Sequence, residues 1–226
     1  MLYFKCSNHV GERFGRMLAI GKVPLPTLER LATYLTALTD LRMGNVETIS
    51  STDIETRTGV NAPQFRKDLS YFGEFGRPGI GYNVRDLHAR ISAILNLDRT
   101  QPVLLVGVGN LGSALLGYPA LRAENFRIVA AFDNNPAKIG KSVWGLAVKD
   151  IADLTTENAR LKARIGIITV PSSAAQEVAE KLVEANVATI LNFAPAILKL
   201  PRKITVRNVD FVQELAVLSF YLTKES

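Results

Sequence analysis

Three glycines, Gly107, Gly109 and Gly112, follow the aliphatic run Val103-Leu-Leu-Val106 in the spacing G-x-G-x-x-G. The chemistry of such a loop is the holding of phosphates. Gly107 suits a tight turn, Gly109 lets the backbone approach a pyrophosphate, and Gly112 lets the next helix lie close on the strand. Val108, Asn110 and Leu111 complete the loop, whose free N–H groups and helix dipole favour an anion. The glycines alone are a weak signal, so context decides. They follow a strand-like run and open an apolar, helix-favouring segment. A second strand, Ile128-Val-Ala-Ala-Phe-Asp133, ends in an acid 21 residues beyond Gly112. A carboxylate there suits adenosine ribose hydroxyls, and the pattern predicts a dinucleotide site.

The elements that must position this loop alternate strand and helix, the mark of a parallel sheet. The spacing predicts a phosphate-binding helix to about Tyr118-Pro119 and a weak edge strand over Val143–Val148. Partial helix over Ile151–Arg164 and a buried strand to Thr169-Val170-Pro171 follow. Ser172 reads as the cap of a helix containing Val178, Leu182 and Val183. Strands Thr189–Leu191 and Ile204–Val206 come last. Ligands in open α/β sheets sit beyond the carboxyl ends of strands. Thr169, Val170, Pro171 and Asn192 are therefore expected to line the cleft beside Gly107–Gly112 and Asp133.

The first half has a different pattern. Leu28, Leu31, Leu35 and Leu38 fall at helical spacing within Thr27–Arg42. A short β-like piece over Val46–Ile49 leads to a helix that Ser51 or Thr52 can cap, with Thr52-x-x-Glu55 as a capping box. That helix stops at Gly59, a residue suited to a left-handed end. Asn61-Ala-Pro-Gln64 then starts a third helix through Phe65–Phe72. Two capped helices joined so tightly form a helix-turn-helix pattern. On a helical wheel Phe65, Leu69 and Phe72 share one face. Gln64, Arg66, Lys67, Ser70 and Tyr71 take the opposite one, with Asp68 toward the side. Such side chains reach base edges and phosphates in a major groove, although a merely solvated face fits the wheel as well. Pro78-Gly79 suits a type II turn, and Ile80, Tyr82 and Val84 alternate after it. The segment reads as a hairpin wing with Arg77 at its tip, able to enter a minor groove. A fourth helix over Asp86–Leu97 buries Leu87, Ile91, Ile94 and Leu95, and a polar linker runs from Asp98 to Pro102.

Composition bounds the function. The chain has 226 residues, 47% hydrophobic and 21% charged, as in ordinary globular proteins. The net charge of +6 fits a nucleic-acid partner without demanding one. Residues 1–100 carry 13 Lys+Arg against 10 Asp+Glu and residues 101–226 carry 14 against 11, so the charge is not segregated. No run approaches the roughly 20 apolar residues of a membrane span. Nor does the start resemble a secretory signal. Cys6 is the only cysteine, so neither an internal disulfide nor a cysteine metal cluster is expected. A cytoplasmic protein without membrane or metal is the expectation. Residues 1–22 read either as a basic arm or as a loosely held extension. At the other end, Phe211, Val212, Leu215–Leu218 and Phe220–Leu222 cover nearly all sides of a helix over Asp210–Thr223. Such a helix must be buried on more than one side, in a dimer interface or in its own domain's core.

These pieces together resemble the family of bacterial redox-sensing transcriptional repressors, Rex. The residues that carry the likeness are Val60–Gly76, with Arg66-Lys67-Asp68-Leu69-Ser70-Tyr71-Phe72-Gly73 its most specific string, and the Gly107–Gly112 loop. Thr169-Val170-Pro171, Leu191-Asn-Phe-Ala-Pro195 and Arg207-Asn-Val-Asp-Phe211 extend it. The resemblance covers about residues 24–223. It implies an α/β chain: an N-terminal winged helix-turn-helix DNA-binding domain (23–98) after an extension (1–22), then a Rossmann-like NAD(H)-binding domain (102–208). The C-terminal helix (209–226) would be domain-swapped between the protomers of a homodimer. It further implies binding to inverted-repeat, double-stranded operator DNA when free or NAD⁺-bound, and release with NADH. By position, Ser51, Gln64, Arg66, Lys67, Ser70 and Tyr71 would read or clamp DNA, with Arg77 at the wing. The loop and Asp133 would hold phosphates and ribose, Tyr118 and Asp210 would lie near the nicotinamide, and Phe211 would insert toward the partner's pocket. Two positions depart from the family pattern. Asp133-Asn134-Asn135 replaces Asp-x-Asp, and Thr36 stands where a basic residue often pairs with the acid at Asp210. A small NAD-dependent dehydrogenase is the alternative. Against it, the two histidines, His9 and His88, and Cys6 all lie outside the dinucleotide-binding half.

Overall fold

The computed structural model describes residues 23–76 and 79–222. The N-terminal extension (1–22) and the expected wing-tip residue Arg77 lie outside the described residues. The chain divides into two compact units between Arg99 and Thr100.

In the first unit, helix α1 (Leu25–Met43) starts with Pro26 in its first turn, where a missing N–H removes no helical bond. Its buried stripe is Thr27, Leu31, Tyr34, Leu35, Leu38 and Leu41. Leu28, expected in that stripe, lies on its flank and is exposed. Strand β1 (Thr48–Ile49) precedes α2 (Ser51–Thr58). Ser50, one residue earlier than the sequence pattern indicates, is the cap: its Oγ accepts the Asp53 N–H at 3.1 Å while Asp53 accepts the Ser50 N–H at 3.0 Å. Glu55, expected to close a box with Thr52, accepts the Ala62 N–H at 3.0 Å and ties the first turn of the next helix to α2. Gly59, at φ 71, ends α2, and Asn61 caps α3 (Ala62–Ser70) by accepting the Gln64 N–H at 2.8 Å.

The wing differs from the expected hairpin. Strand β2 (Tyr82–Asn83) pairs antiparallel with β1, Thr48 opposite Asn83 and Ile49 opposite Tyr82, and not with the Gly73–Gly76 stretch. The Asn83 side chain accepts the Asp86 N–H at 3.0 Å and so turns the chain into α4 (Val84–Ile94) after two residues of strand. Val84 is thus a buried first helical residue instead of a strand residue, and Ile94 and Leu95 are only partly buried. Phe65 anchors the core, edge-on to Tyr34 at 4.9 Å and to Tyr82 at 5.2 Å, among Leu31, Leu38, Ile54, Leu87 and Ile91. Each such side chain, once buried, contributes about 1.5–3 kcal/mol.

The second unit is a seven-stranded sheet. Strand β3 (Gln101–Val106) starts earlier than expected, taking in the linker's last residues. It leads to α5 (Asn110–Leu116), α6 (Pro119–Ala123) and β4 (Phe126–Asp133). The expected edge strand over 143–148 is two strands, β5 (Ser142–Val143) and β6 (Leu146–Asp150). They are split by Trp144-Gly145, both at positive φ, as a two-residue hairpin turn requires. A 3₁₀ turn (Ile151–Asp153), α7 (Leu154–Leu161), β7 (Ile165–Ile168), α8 (Ser172–Glu184), β8 (Thr189–Asn192), β9 (Thr205–Asn208) and α9 (Phe211–Leu222) follow. Pro171 occupies the cap position of α8, and no side chain caps it, so Ser172 is helical. The order β5-β6-β4-β3-β7-β8-β9 is parallel except for the β5–β6 hairpin. From β3 the chain moves first to one side (β4) and later to the other (β7). The switch point, where open sheets bind ligands, therefore lies at the carboxyl end of β3.

Among the described residues, no helix is long and apolar enough to cross a membrane. Helix α9 buries none of its residues: Val212, Leu218 and Leu222 are 73%, 60% and 71% exposed. The alternative that it docks into its own domain's core does not hold for this chain.

Candidate functional site

A cavity of about 740 Å³ opens at the switch point. Gly107, Gly109, Leu111, Asp133, Thr169, Val170 and Pro171, all singled out from the sequence, line it. Tight packing fixes the loop. The Gly107 N–H donates to Phe132 O at 2.8 Å, and Thr169 Oγ1 donates to Gly107 O at 2.7 Å. Gly107 has φ +100, and a Cβ there would lie 2.7 Å from Thr169 O. A Cβ on Gly112 would strike Gly107 O. Gly109 is the opposite case: a Cβ would meet nothing within 4 Å. No neighbour in the chain demands a glycine at 109, and the space is left for something that approaches the backbone closely. Helix α5 has only seven residues, so the cradle rests on the loop backbone more than on a long helix dipole.

Asp133 is 6% exposed and holds the loop rather than standing free. Its Oδ2 accepts from the Val108 N–H at 2.8 Å and from Lys138 Nζ at 2.9 Å, and its Oδ1 from the Asn135 N–H at 2.9 Å. Burial pushes the carboxyl up, but the Lys138 bond and the two N–H groups outweigh it and hold its pKa below the ordinary value. Asn134 and Asn135, read from the sequence only as a departure from Asp-x-Asp, lie on the cavity wall, as do Lys138 and Phe193, which sequence reasoning missed. Lys138, five residues past the strand, carries no period that marks it. Phe193 was legible only as the neighbour of Asn192.

Of the other expected cofactor residues, Val108, Asn110 and Gly112 belong to the loop without facing the cavity, and Asn192, Tyr118 and Asp210 sit elsewhere. Asn192 is fully buried, its Nδ2 donating to Ala194 O, Ala196 O and Asn208 Oδ1 and its Oδ1 accepting the Ala194 N–H. It shapes the loop after β8 and does not line the cavity. Tyr118 is 55% exposed and lines a separate hollow of about 380 Å³ with Trp144, Arg122 and Arg127. Asp210 caps α9, accepting the Val212 N–H at 2.9 Å. Phe211 has its ring centroid 6.3 Å from that of the wall residue Phe193.

In the first unit, Arg66, Lys67 and Ser70 are exposed on α3, and Tyr71 is exposed at its C-terminal cap. Arg66 donates to Ser51 Oγ at 2.7 Å, bringing the start of α2 into the same polar patch. Asp68, expected beside that face, is 0% exposed on the other side. It accepts from Arg30 Nε at 2.6 Å, the Tyr34 hydroxyl at 2.8 Å, Thr27 Oγ1 at 3.1 Å and Gln64 Nε2 at 2.8 Å. Gln64 is thereby drawn partly away from the exposed face. Burial raises the Asp68 pKa, but the bonds from Arg30, Tyr34, Gln64 and Thr27 bring it below the ordinary carboxylate value. The buried carboxylate fastens α3 to α1 and fixes the exposed basic row. His88 makes a 3.2 Å contact with Thr39 Oγ1, and burial, then Arg42, lowers its pKa.

Two relatives of this chain carry the same description. A redox-sensing transcriptional repressor Rex from Desulfitobacterium hafniense (strain DSM 10664 / DCB-2) is 49% identical over 199 residues, 88% of this chain and 95% of that protein. Another, from Pelotomaculum thermopropionicum (strain DSM 13744 / JCM 10971 / SI), is 45% identical over 204 residues, 90% of this chain and 96% of that one. The chain belongs to the Rex family of redox-sensing transcriptional repressors. A family model described as a putative DNA-binding protein N-terminus matches residues 22–70, and one described as a CoA binding domain matches residues 98–196. The Rex-family repressor RSP, solved in complex with beta-NAD+ and operator DNA, has a TM-score of 0.85 and 36% identity over 90% of this chain and 94% of its own. RSP solved with beta-NADH gives a TM-score of 0.81 at 34% identity over 90% of this chain and 96% of its own. The Rex fold, a DNA-binding N-terminus followed by a Rossmann-like domain, is therefore that of this chain.

Proposed function

We propose that this Rex-family chain is a homodimeric, cytoplasmic repressor that holds inverted-repeat operator DNA when free or NAD⁺-bound and releases it when NADH is bound. The observation that carries the reading is a dinucleotide-sized cradle at the sheet's switch point in the same chain as a stapled, basic helix-turn-helix face. The backbone of Gly107, Val108, Gly109, Asn110, Leu111 and Gly112 holds the pyrophosphate, with Asp133 setting the loop's shape. Thr169, Val170 and Pro171 form the opposite wall. Ser51, Arg66, Lys67, Ser70 and Tyr71 meet the operator, Gln64 contributes at the edge, and Arg77 supplies the wing contact. The domain limits that go with these roles are 23–98, 102–208 and 209–226.

The nicotinamide supplies a change in charge and ring planarity between its oxidised and reduced forms. The protein must turn that difference into unequal stability of two dimer shapes, since a ligand that binds both equally shifts nothing. Phe211, the first residue of α9, and Asp210, which caps it, are suited to this because Phe211 links the cavity wall at Phe193 to the helix that pairs with the second protomer. Two recognition helices enter successive major grooves when they lie about 34 Å apart. A rotation of the protomers that alters this spacing releases the DNA.

A regulator fits the cavity better than a dehydrogenase does. Its ionisable lining groups are paired, Asp133 with Lys138 and Glu177 with Lys181, and among the described residues it has no histidine to move a proton. The test is a gel shift on an inverted-repeat promoter fragment titrated with NAD⁺ and NADH. Release by NADH alone is the expected result. Turnover of a carbonyl substrate without any DNA shift would establish the enzyme instead.

A further inference from the structure

Resting on the proposed NAD(H) cleft, we infer that its adenosine-ribose end discriminates weakly against a 2′-phosphate, so that the chain takes NADPH as well as NADH. A dinucleotide site that excludes the phosphorylated form does so with a carboxylate on the ribose hydroxyls, and a site that accepts it offers a cation nearby. Here the acid that ends β4 cannot exclude an anion. Asp133 is buried, three of its acceptor positions are filled by Val108, Asn135 and Lys138, and the Lys138 ammonium at 2.9 Å cancels its charge. The two residues that follow and face the cavity, Asn134 and Asn135, are neutral. The remaining acid on the wall, Glu177, is offset by Lys181 at 3.0 Å.

The wall also contains a cation that can move. The Lys138 side chain is 38% exposed. If it swings toward a 2′-phosphate, the Asp133 carboxylate keeps both of its backbone N–H donors, so the move does not strip a buried charge of every partner. Asn135 is the position where specificity is set. Its Oδ1 accepts the Ala137 N–H at 2.9 Å, a bond that an aspartate of the same shape would keep. Asn135→Asp therefore adds one negative charge to the wall and leaves the turn intact.

The experiment is calorimetric titration of the full chain with NADH and with NADPH, for the native protein, Asn135→Asp and Lys138→Met. The native protein is expected to bind NADPH within about tenfold of NADH, a difference of about 1.4 kcal/mol. Asn135→Asp is expected to weaken NADPH relative to NADH by about tenfold or more, as a like charge placed beside a phosphate does. Lys138→Met is expected to weaken NADPH more than NADH. A native preference for NADH above about tenfold, or a preference that Asn135→Asp leaves unmoved, overturns the inference while leaving the NADH reading in place. Failure of both nucleotides to bind overturns the inference and the proposed function together.

Discussion

Neutralising Asp68 tests the claim that a buried carboxylate sets the DNA-facing helix. Asp68→Asn keeps the side chain's shape but removes its charge and turns an NH₂ group toward a ring of donors, Arg30, Tyr34, Thr27 and Gln64. Removing one member of a buried ion pair costs about 3–5 kcal/mol, because the other charge stays behind without its counter-ion. The Arg30 side chain is 27% exposed and can reach water, which trims the figure to about 2–4 kcal/mol. Against a total stability of about 5–15 kcal/mol, that loss is large. The pH dependence has a definite sign. The Asp68 pKa is lowered in the folded chain, so its contribution is present above the unfolded value of about 3.9 and is lost as pH falls through the folded one. Tyr34 is shifted upward by burial and by Asp68, so its contribution fades only at alkaline pH beyond its unfolded value. The gap between native and Asp68→Asn proteins should be full at pH 7 and should narrow below about pH 4. Urea unfolding followed by amide exchange in α1 and α3 reads it within the first unit. A cost under about 1 kcal/mol at pH 7, or a gap that stays constant down to pH 3, would refute the reasoning.

Three further variants separate the parts. Arg66→Ala should weaken operator binding by about 1–3 kcal/mol in gel shifts while NADH affinity and melting temperature hold, since Arg66 is exposed. Gly109→Val should abolish NADH binding in calorimetry and leave operator binding intact but deaf to NADH. The new Cβ meets nothing in the chain and φ is −86°, so the fold should survive. Leu215→Glu with Leu218→Glu should give a monomer in sedimentation, because it places charge on an apolar helix face that stays exposed among the described residues.

What the sequence disclosed followed period and punctuation. The glycine loop, the β-α alternation and the Asn61 cap were readable because spacing carries them. What escaped was set by contacts distant in the chain. Asp68 falls toward the side of the helix on a wheel, and nothing in α3 announces its buried partners Arg30 and Tyr34, more than thirty positions earlier. Strand β2 looked like half of a local hairpin, yet its partner, β1, lies upstream of two helices. Asn192 looked like a ligand contact because it ends a strand, and is instead consumed by three hydrogen bonds to its own loop and one to Asn208 at the end of β9. Position at a strand's end is a prior for function; the count of unfilled donors and acceptors decides it.

Helix α9 shows how cofactor and assembly become one problem. Phe211, Val212, Leu215, Val217, Leu218, Phe220, Tyr221 and Leu222 are each more than half exposed. Covering such a side chain gains about 1 kcal/mol, roughly half the value of complete burial. In the proposed homodimer, two copies of the helix, each covering the other chain, would contribute on the order of 16 kcal/mol. The freedom lost on association costs about 4–15 kcal/mol, so the helix by itself carries a dimer only narrowly. A narrow balance is what a switch needs, since a ligand can tip it with a few kcal/mol of preference. The first residue of α9 already rests against Phe193 on the cavity wall. Whatever fills that cavity thus acts on the first turn of the helix proposed to carry the dimer.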